Sequence, residues 1–200
     1  QRWDVRPMTL GSLLCGPSAP HRLCIPIFQR AYCWDSRLIA AFWRDVTRGK
    51  EAREDGHRLG KAIFHRSPES PGQLTVVDGQ QRITTSFILL SALRDAALIL
   101  NNSQPASTSN PRQARERAVV DAIDAVLFTE VKEARGWLQS VHAHTSQNEQ
   151  PDRASSPFAL GRDLPFCRLS PSYRDRAPFF FCLLARYVPR QTPQAHAALS

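Results

Sequence analysis

Hydrogen-bonding side chains crowd into one short stretch, DGQQRITT, where an apolar run gives way to a long helical pattern. Gly79 relieves the backbone at this turn, and Asp78 stands where a helix N-cap is expected, with Gln81 three residues later as in a capping box. A helix N-terminus carries unpaired N–H groups and a partial positive charge, so it attracts anions. The other polar side chains of the stretch are Gln80, Arg82, Thr84 and Thr85. Capping alone needs only Asp78 and Gln81, so the surplus favours a phosphate-binding site over a capped helix start.

The basic residues of the chain are also suited to phosphate. The formal net charge is +8, and only three of the 26 basic residues are lysines. Arginine can bind phosphate through two hydrogen bonds, although the codon bias of a GC-rich genome would explain most of an arginine excess. The charge therefore permits a polyanionic partner such as DNA. Neither GxxxxGK[ST] nor GxGxxG occurs, so nucleotide binding would need a different geometry from those loops.

The spacing of cysteine and histidine predicts no metal centre. The five cysteines form no CxxC pair and no zinc-finger spacing, which is typical of reduced thiols in a cytoplasmic protein. His142 and His144 form a close pair, and a surface helix end explains this pair better than a metal site does. No apolar run approaches the roughly 20 residues that span a bilayer, so we expect no membrane partner. The start at Gln1 rather than Met is typical of a fragment.

Strands and helices are expected to alternate in the first half of the chain. The three predicted strands cover residues 22–28, 59–65 and 73–77. Pro26 argues that the first of them lies at an edge of the sheet. Asp35 or Ser36 is expected to cap a helix over 36–49. The apolar face of that helix comprises Leu38, Ile39, Phe42, Trp43 and Val46. The next helix begins at Gln80 and is apolar around much of its surface, as expected of a core helix.

The second half of the chain is expected to be mostly helical. Residues 101–111 are rich in Asn, Ser and Pro, which predicts a flexible connector. After it we predict a helix over 112–128, a polar stretch over 145–157, a strand near 165–169, a helix near 172–186 and a disordered tail over 189–200. The resulting organisation is a core over 8–100 followed by a helical extension of the same domain over 112–188.

Three blocks of the sequence resemble, in order and spacing, the signature of one family. The blocks are IPIFQRAYCW (25–34), LGKAIF (59–64) and VVDGQQRITTSFILLSALR (76–94). The family is the domain of GmrSD-type modification-dependent restriction proteins and of the SspE phosphorothioate-sensing defence protein. A later stretch, FCRLSPSYRDRAPFF (166–180), is similar to a further block of that family. The combination of the first and third blocks is much more specific than either block alone.

The resemblance implies a fold, an activity and partners. The fold would be α+β and similar to ParB and sulfiredoxin, with a small mixed sheet and helices followed by a helical portion. The activity would be binding and hydrolysis of a nucleoside triphosphate with Mg²⁺, coupled to recognition and cutting of modified DNA. The residues that match the family pattern as catalytic are Asp78, Gln80, Gln81 and Arg82. Those that match it as nucleotide- or phosphate-binding are Gln29, Arg30, Tyr32, Gly79, Arg82, Thr84 and Thr85.

The resemblance also implies roles for these side chains. Arg30 and Arg82 would hold phosphates or stabilise charge during phosphoryl transfer. Gln80 or Gln81 would orient an attacking water, and Asp78 would cap the turn or assist a metal ion or a water.

The remaining side chains near the two blocks have weaker claims to a role. Tyr32 or Trp34 would stack on a base, although a core position explains Trp34 better. Asp35 and Asp45 are candidate metal helpers, and a helix cap and a solvated helix face explain them equally well.

The sequence departs from the family pattern at Lys61, where a small residue is usual, and at Phe28, where tyrosine is common. It shows no HNH-like nuclease pattern, so cutting of DNA would need a missing region or a partner protein.

Two functions stay open: a nucleotide-hydrolysing sensor domain of a restriction or anti-phage system, and a scaffold that binds nucleotide or DNA phosphate without turnover. The complete DGQQR and QR blocks argue against a degenerate relative.

Overall fold

The computed structural model describes residues 4–15, 19–52, 60–102, 111–137 and 163–184. Within these residues the strands are β1 (Arg22–Cys24), β2 (Ile63–His65), β3 (Gln73–Asp78) and β4 (Leu169–Ser170). The helices are α1 (Leu10–Cys15), α2 (Ser36–Ala52), α3 (Gln80–Asn102), α4 (Pro111–Leu127), α5 (residues 131–137) and α6 (Arg176–Leu184). A 3-10 turn, Tyr173–Asp175, leads into α6. The small mixed sheet with its helices confirms the predicted α+β class.

The sheet has the strand order β2-β3-β1-β4. β1 runs parallel to both β3 and β4, and β2 runs antiparallel to β3. Leu23 of β1 lies opposite Leu74 of β3 and Leu169 of β4, and all three leucines are buried. Because residues in register point to the same face of a sheet, these leucines form one apolar row across the three parallel strands.

The first strand is shorter than predicted and does not lie at an edge. β1 ends at Cys24 and is flanked by β3 and β4, so the edge position inferred from Pro26 is wrong. Pro26 follows the strand, where its missing N–H removes no bond from the ladder. The N–H of Ile25 still donates to the carbonyl of Ser170 at 2.9 Å. A proline just beyond a strand end is therefore compatible with a central strand.

Helix α3 packs against the helices α4 and α6. Phe87 of α3 is fully buried in a core shared with Leu23, Val76 and Leu127. By length and composition Gln80–Leu100 would also suit a membrane span, which the absence of a long unbroken apolar run did not predict; 50% of the tested window is buried inside the protein. The first part of this broad apolar surface thus serves the core, as predicted from its pattern, whereas Leu93, Ile99 and Leu100 are 41%, 61% and 50% exposed.

The apolar face predicted for α2 is only partly buried. Phe42 is buried, whereas Leu38, Ile39 and Trp43 are 43%, 42% and 44% exposed. The extensive contacts between the described helices and strands do not include α2, so most of this face stays open in that part of the chain.

Several predictions concern residues that lie outside the described ranges. These are residues 103–110 of the connector, the pair His142 and His144, the polar stretch 145–157 and the tail 189–200. Helix α3 extends to Asn102, two residues into the predicted connector. The predicted C-terminal helix is divided into the 3-10 turn and α6.

A buried ion-pair network joins the helices to one another. Arg94 of α3 is 1% exposed, and its Nη2 donates to Asp95 Oδ1 at 2.9 Å and to the Leu183 carbonyl of α6 at 2.7 Å. Its Nη1 lies 3.7 Å from Asp124 Oδ1 of α4. Arg135 of α5 donates to the other oxygen of Asp124 at 2.8 Å. Arg94 therefore connects α3 to α4 and α6 through groups that are almost wholly removed from water, and Asp124 extends the network to Arg135 of α5, whose side chain is 45% exposed.

We expect the substitution Arg94→Ala to lower the free energy of unfolding by about 3 to 5 kcal/mol, because it leaves buried carboxylates without their cation. Urea unfolding followed by circular dichroism measures this change. Arg117→Ala, which removes an exposed arginine of α4, is the control and should stay within about 0.5 kcal/mol of the wild type. Equal unfolding midpoints for the two variants would contradict this account of the network.

Candidate functional site

A cleft opens where β3 ends and α3 begins, with a volume of ≈ 200 Å³. Its lining residues are Gln29, Arg30, Trp34, Asp78, Gly79, Gln80, Gln81 and Arg82. The lining thus comes from two stretches that are about 50 residues apart in the sequence. We call Gln29–Trp34 the QR segment and Asp78–Arg82 the DGQQR turn. The structure brings together the two blocks that the sequence singled out.

The DGQQR turn begins α3 in a different way from the predicted capping box. Gly79 has a φ of +91°, a conformation that side chains other than glycine rarely adopt. Its carbonyl accepts the first helical bond, from Ile83 N at 3.0 Å, which places the N-cap at Gly79 and not at Asp78. The Oδ1 atom of Asp78 accepts the N–H of Gly79 at 2.7 Å. Gln81 does not reach back to Asp78, so the capping-box prediction is wrong.

The two glutamines of the turn bind the backbone of the QR segment. Gln80 is 4% exposed, and its Nε2 donates to the Arg30 carbonyl at 2.9 Å. Gln81 uses both ends of its amide: Nε2 donates to the Ala31 carbonyl at 3.3 Å, and Oε1 accepts the N–H of Cys33 at 2.9 Å. The QR segment has no strand or helix of its own, so these side chains satisfy backbone groups that would otherwise need water.

Tyr32 is fixed at both its backbone and its ring. Its N–H points between the two carboxylate oxygens of Asp175, at 3.1 Å and 3.0 Å. Thr85 donates its hydroxyl to the Gln81 carbonyl at 2.8 Å, so the Tyr32 hydroxyl is the donor in its 2.9 Å bond to Thr85. Burial raises the pKa of Tyr32 above its ordinary value, which keeps this hydroxyl protonated. Tyr32 is not part of the cleft lining, and its contacts hold the segment in place.

Arg82 binds a third stretch, Gly60–Ala62, to the turn. Its Nη2 donates to the Lys61 carbonyl at 2.6 Å. Gly60 has a φ of +87°, and a β-carbon there would collide with the Arg82 guanidinium. A β-carbon on Gly79 would in turn meet the Ala62 side chain at 3.0 Å. This close approach explains why β2 starts only at Ile63, since the residues before it wrap around the turn.

The groups that remain open to a ligand are fewer than the sequence suggested. Arg30 and Asp78 are exposed, and no described residue pairs with the guanidinium of Arg30. Gln29 donates its Nε2 to the Val77 carbonyl at 2.7 Å, so its Oε1 remains available. Trp34 is half-buried, lines the cleft and meets Phe42 edge to face at 5.7 Å.

The two threonines of the stretch do not line the cleft. Thr84 and Thr85 are each 3% exposed, and Thr85 is engaged with Tyr32 and Gln81. The Thr84 hydroxyl is buried, and no described residue forms a hydrogen bond with it. A ligand in the cleft would therefore meet the turn through its first residues and not through these hydroxyls.

The two acidic residues that were candidates for assisting a metal ion, Asp35 and Asp45, do not line the cleft. Asp35 Oδ1 accepts the N–H of Leu38 at 2.8 Å, which confirms Asp35 as the N-cap of α2. Asp45 is exposed on α2. Among the described residues, no three His, Cys, Asp or Glu side chains converge as a protein-built metal site requires.

Sequence reasoning missed two residues that shape the site. Asp175 lies 143 residues after Tyr32, and no local pattern marks its carboxylate for that backbone. Gly60 was recognised only as part of a resembling block. A glycine inside a predicted strand, here 59–65, is a signal of close backbone approach, and that signal could have identified it.

The chain matches a known protein family over most of its length. The family model described as GmrSD restriction endonuclease, N-terminal domain, matches residues 11–158. No curated protein matches the chain.

We expect Gln81→Met to lower the free energy of unfolding by about 1 to 3 kcal/mol, because Ala31 and Cys33 lose their shared partner while water can partly replace it. Hydrogen exchange at the Cys33 amide should accelerate in the same variant, which mass spectrometry of the peptide measures. The control is Gln73→Met on β3, where the glutamine is exposed and its side chain, within the described part of the chain, accepts only from the Cys24 thiol. A Gln81 variant that behaves like the Gln73 variant would show that the amide does not hold the segment.

Proposed function

The chain belongs to the family of GmrSD restriction endonuclease N-terminal domains, and from that premise we propose that its cleft binds and hydrolyses a nucleoside triphosphate. The domain is part of a restriction and defence protein, and turnover would report on modified DNA. The net positive charge of the chain, +8, suits DNA as a partner. A separate HNH-type nuclease domain, downstream or in a partner, would cut the DNA.

The observation that carries the proposal is the Arg30 guanidinium. It lines the cleft, it is exposed, and no described acid pairs with it. It lies in the same cleft as the first residues of α3, where helical N–H groups and the helix dipole favour a negative charge. An arginine fork next to a helix N-terminus is suited to a phosphate oxygen on chemical grounds. The volume of ≈ 200 Å³ fits the phosphate end of a nucleotide better than the whole molecule.

The acidic side chain at the cleft fits a magnesium ion that arrives with the nucleotide. Asp78 uses one oxygen for the Gly79 N–H, and its second oxygen accepts no hydrogen bond from the described part of the chain. Mg²⁺ in phosphoryl-transfer sites is usually held by one or two carboxylates together with substrate phosphates. Asp78 would hold the ion, which would neutralise charge on the phosphates.

The other polar groups of the cleft would serve an attacking water. Gln81 has both ends of its amide engaged with the QR segment. The oxygens of Gln29, Gln80 and Asp78 are the acceptors that remain near the phosphate position, and one of them would orient the water for in-line attack. Arg82 stays at the cleft while it holds the Lys61 carbonyl, so its charge contributes to the field that stabilises the phosphate.

One observation favours binding without turnover as a second candidate. The side chains of Gln80, Gln81 and Arg82 all donate to backbone carbonyls. Side chains that hold the backbone in this way are expected in a binding scaffold as much as in a catalytic site. Under this alternative the cleft would hold a nucleotide or a DNA phosphate and would change nothing chemically.

Phosphate release from ATP, GTP, CTP and UTP with magnesium, with and without modified DNA, tests the proposal. We expect Arg30→Ala to lower kcat/KM about 100-fold, because one charge-stabilising donor is lost. The fold should survive, since the backbone carbonyl that Gln80 binds remains. Arg117→Ala is the control, because α4 contributes no residue to the cleft.

The outcomes separate the candidates. Turnover that falls with Arg30→Ala and not with Arg117→Ala supports hydrolysis in this cleft. Tight nucleotide binding without phosphate release supports the scaffold. Wild-type turnover in the Arg30 variant contradicts the assignment of the phosphate to this arginine.

A further inference from the structure

The position of the QR segment depends on a residue beyond residues 11–158, the region that the family model matches, in the stretch 166–180 that resembles a later block of the family. The matched region ends at residue 158, whereas Asp175 lies at the end of the 3-10 turn before α6. Its two oxygens accept the Tyr32 N–H, and Oδ2 also accepts the Ser172 hydroxyl at 2.8 Å. The QR segment is thus held from one side by α3 and from the other side by Asp175.

The Asp175 carboxylate is costly to keep in this position. It is 8% exposed, and none of the described lysines, arginines or histidines forms an ion pair with it. Removing a charge from water without a counter-ion is unfavourable. Its compensation comes from neutral donors and from its place at the N-terminal end of α6, where the helix dipole favours an anion.

The contact acts on the chain two residues from Arg30. Gln80 and Gln81 bind the Arg30 carbonyl, the Ala31 carbonyl and the Cys33 N–H, and Asp175 binds the Tyr32 N–H between them. Without Asp175 the middle of the segment loses its only partner on that side among the described residues. The Arg30 side chain would then leave the position that the cleft requires.

We infer that Asp175 is a positioning residue for the nucleotide cleft, and that the functional unit extends beyond the matched region to α6. This inference rests on the proposed function of the cleft. Asp175 touches no ligand in this assignment and acts through Tyr32 on the placement of Arg30.

The test compares Asp175→Ala and Asp175→Asn in the full chain. The substrate is the nucleoside triphosphate from which the wild type releases phosphate fastest. Asparagine keeps an amide oxygen that can accept the Tyr32 N–H, and alanine does not. We expect KM to rise about 10- to 100-fold in the alanine variant, the effect of a displaced charged hydrogen bond. The asparagine variant should stay within about threefold of the wild type. Glu133→Ala, an exposed acid on α5, serves as the control.

The split between KM and kcat distinguishes positioning from a loss of folded protein. A smaller folded fraction lowers the apparent kcat and leaves KM unchanged, so that result in the alanine variant would overturn the inference. An asparagine variant as impaired as the alanine variant, with normal folding by circular dichroism, would overturn it as well.

Failure of the proposed function would be recognised separately. If the wild type neither binds nor turns over any triphosphate, the proposed function is wrong, and hydrogen exchange of residues 30–33 decides about Asp175. Faster exchange in the alanine variant and normal exchange in the asparagine variant would support a positioning role for the segment. Unchanged exchange in both variants would contradict it.

Discussion

The backbone of residues 30–33 is the constraint on which the arrangement of the cleft depends. These residues pair with no strand and belong to no helix, so their N–H and carbonyl groups must find partners elsewhere. The partners are the side chains of Gln80, Gln81 and Asp175. Side-chain bonds of this kind replace the backbone hydrogen bonds that a strand or a helix would have supplied. They hold an irregular segment in one conformation, which a site for a precise ligand needs.

This constraint explains why the DGQQR turn is so rich in polar residues. Gln81 and Thr85 are one helical turn apart and face the QR segment together. Arg82 points to the other side, towards Lys61. Asp78 precedes the helix and stays exposed. The polar residues thus have different tasks: most of them organise three chain segments, and fewer of them are left to meet a ligand.

The sequence allowed the elements and the two blocks of the cleft to be predicted, because these depend on local patterns. The apolar run before Asp78 predicted β3, and the all-round apolar surface after Gln80 predicted α3, since both patterns extend over many residues. The partners of the glutamines could not be predicted. A glutamine amide at the start of a helix can bind either the helix N-terminus, as in a capping box, or the backbone of a distant segment, and the local sequence does not distinguish the two. The bond from Tyr32 to Asp175 depends on how two remote stretches meet, and no periodicity encodes that meeting. The prediction that β1 lies at an edge was wrong for a related reason, since the effect of Pro26 depends on where the strand ends.

The two ends of α6 connect the QR segment of the cleft to the buried arginine of α3. At its N-terminal end Asp175 holds the Tyr32 backbone, and at its C-terminal end the Leu183 carbonyl accepts from the buried Arg94. Arg94 belongs to α3, which also begins the cleft at Gly79. The cleft, α3 and α6 therefore form a closed loop of contacts. A shift of α6 along its axis would have to break one of the two attachments, and each of them involves a buried charge that is costly to expose or leave unpaired. The position of Arg30 is in this way coupled to the packing of α6, a helix that contributes no residue to the cleft lining.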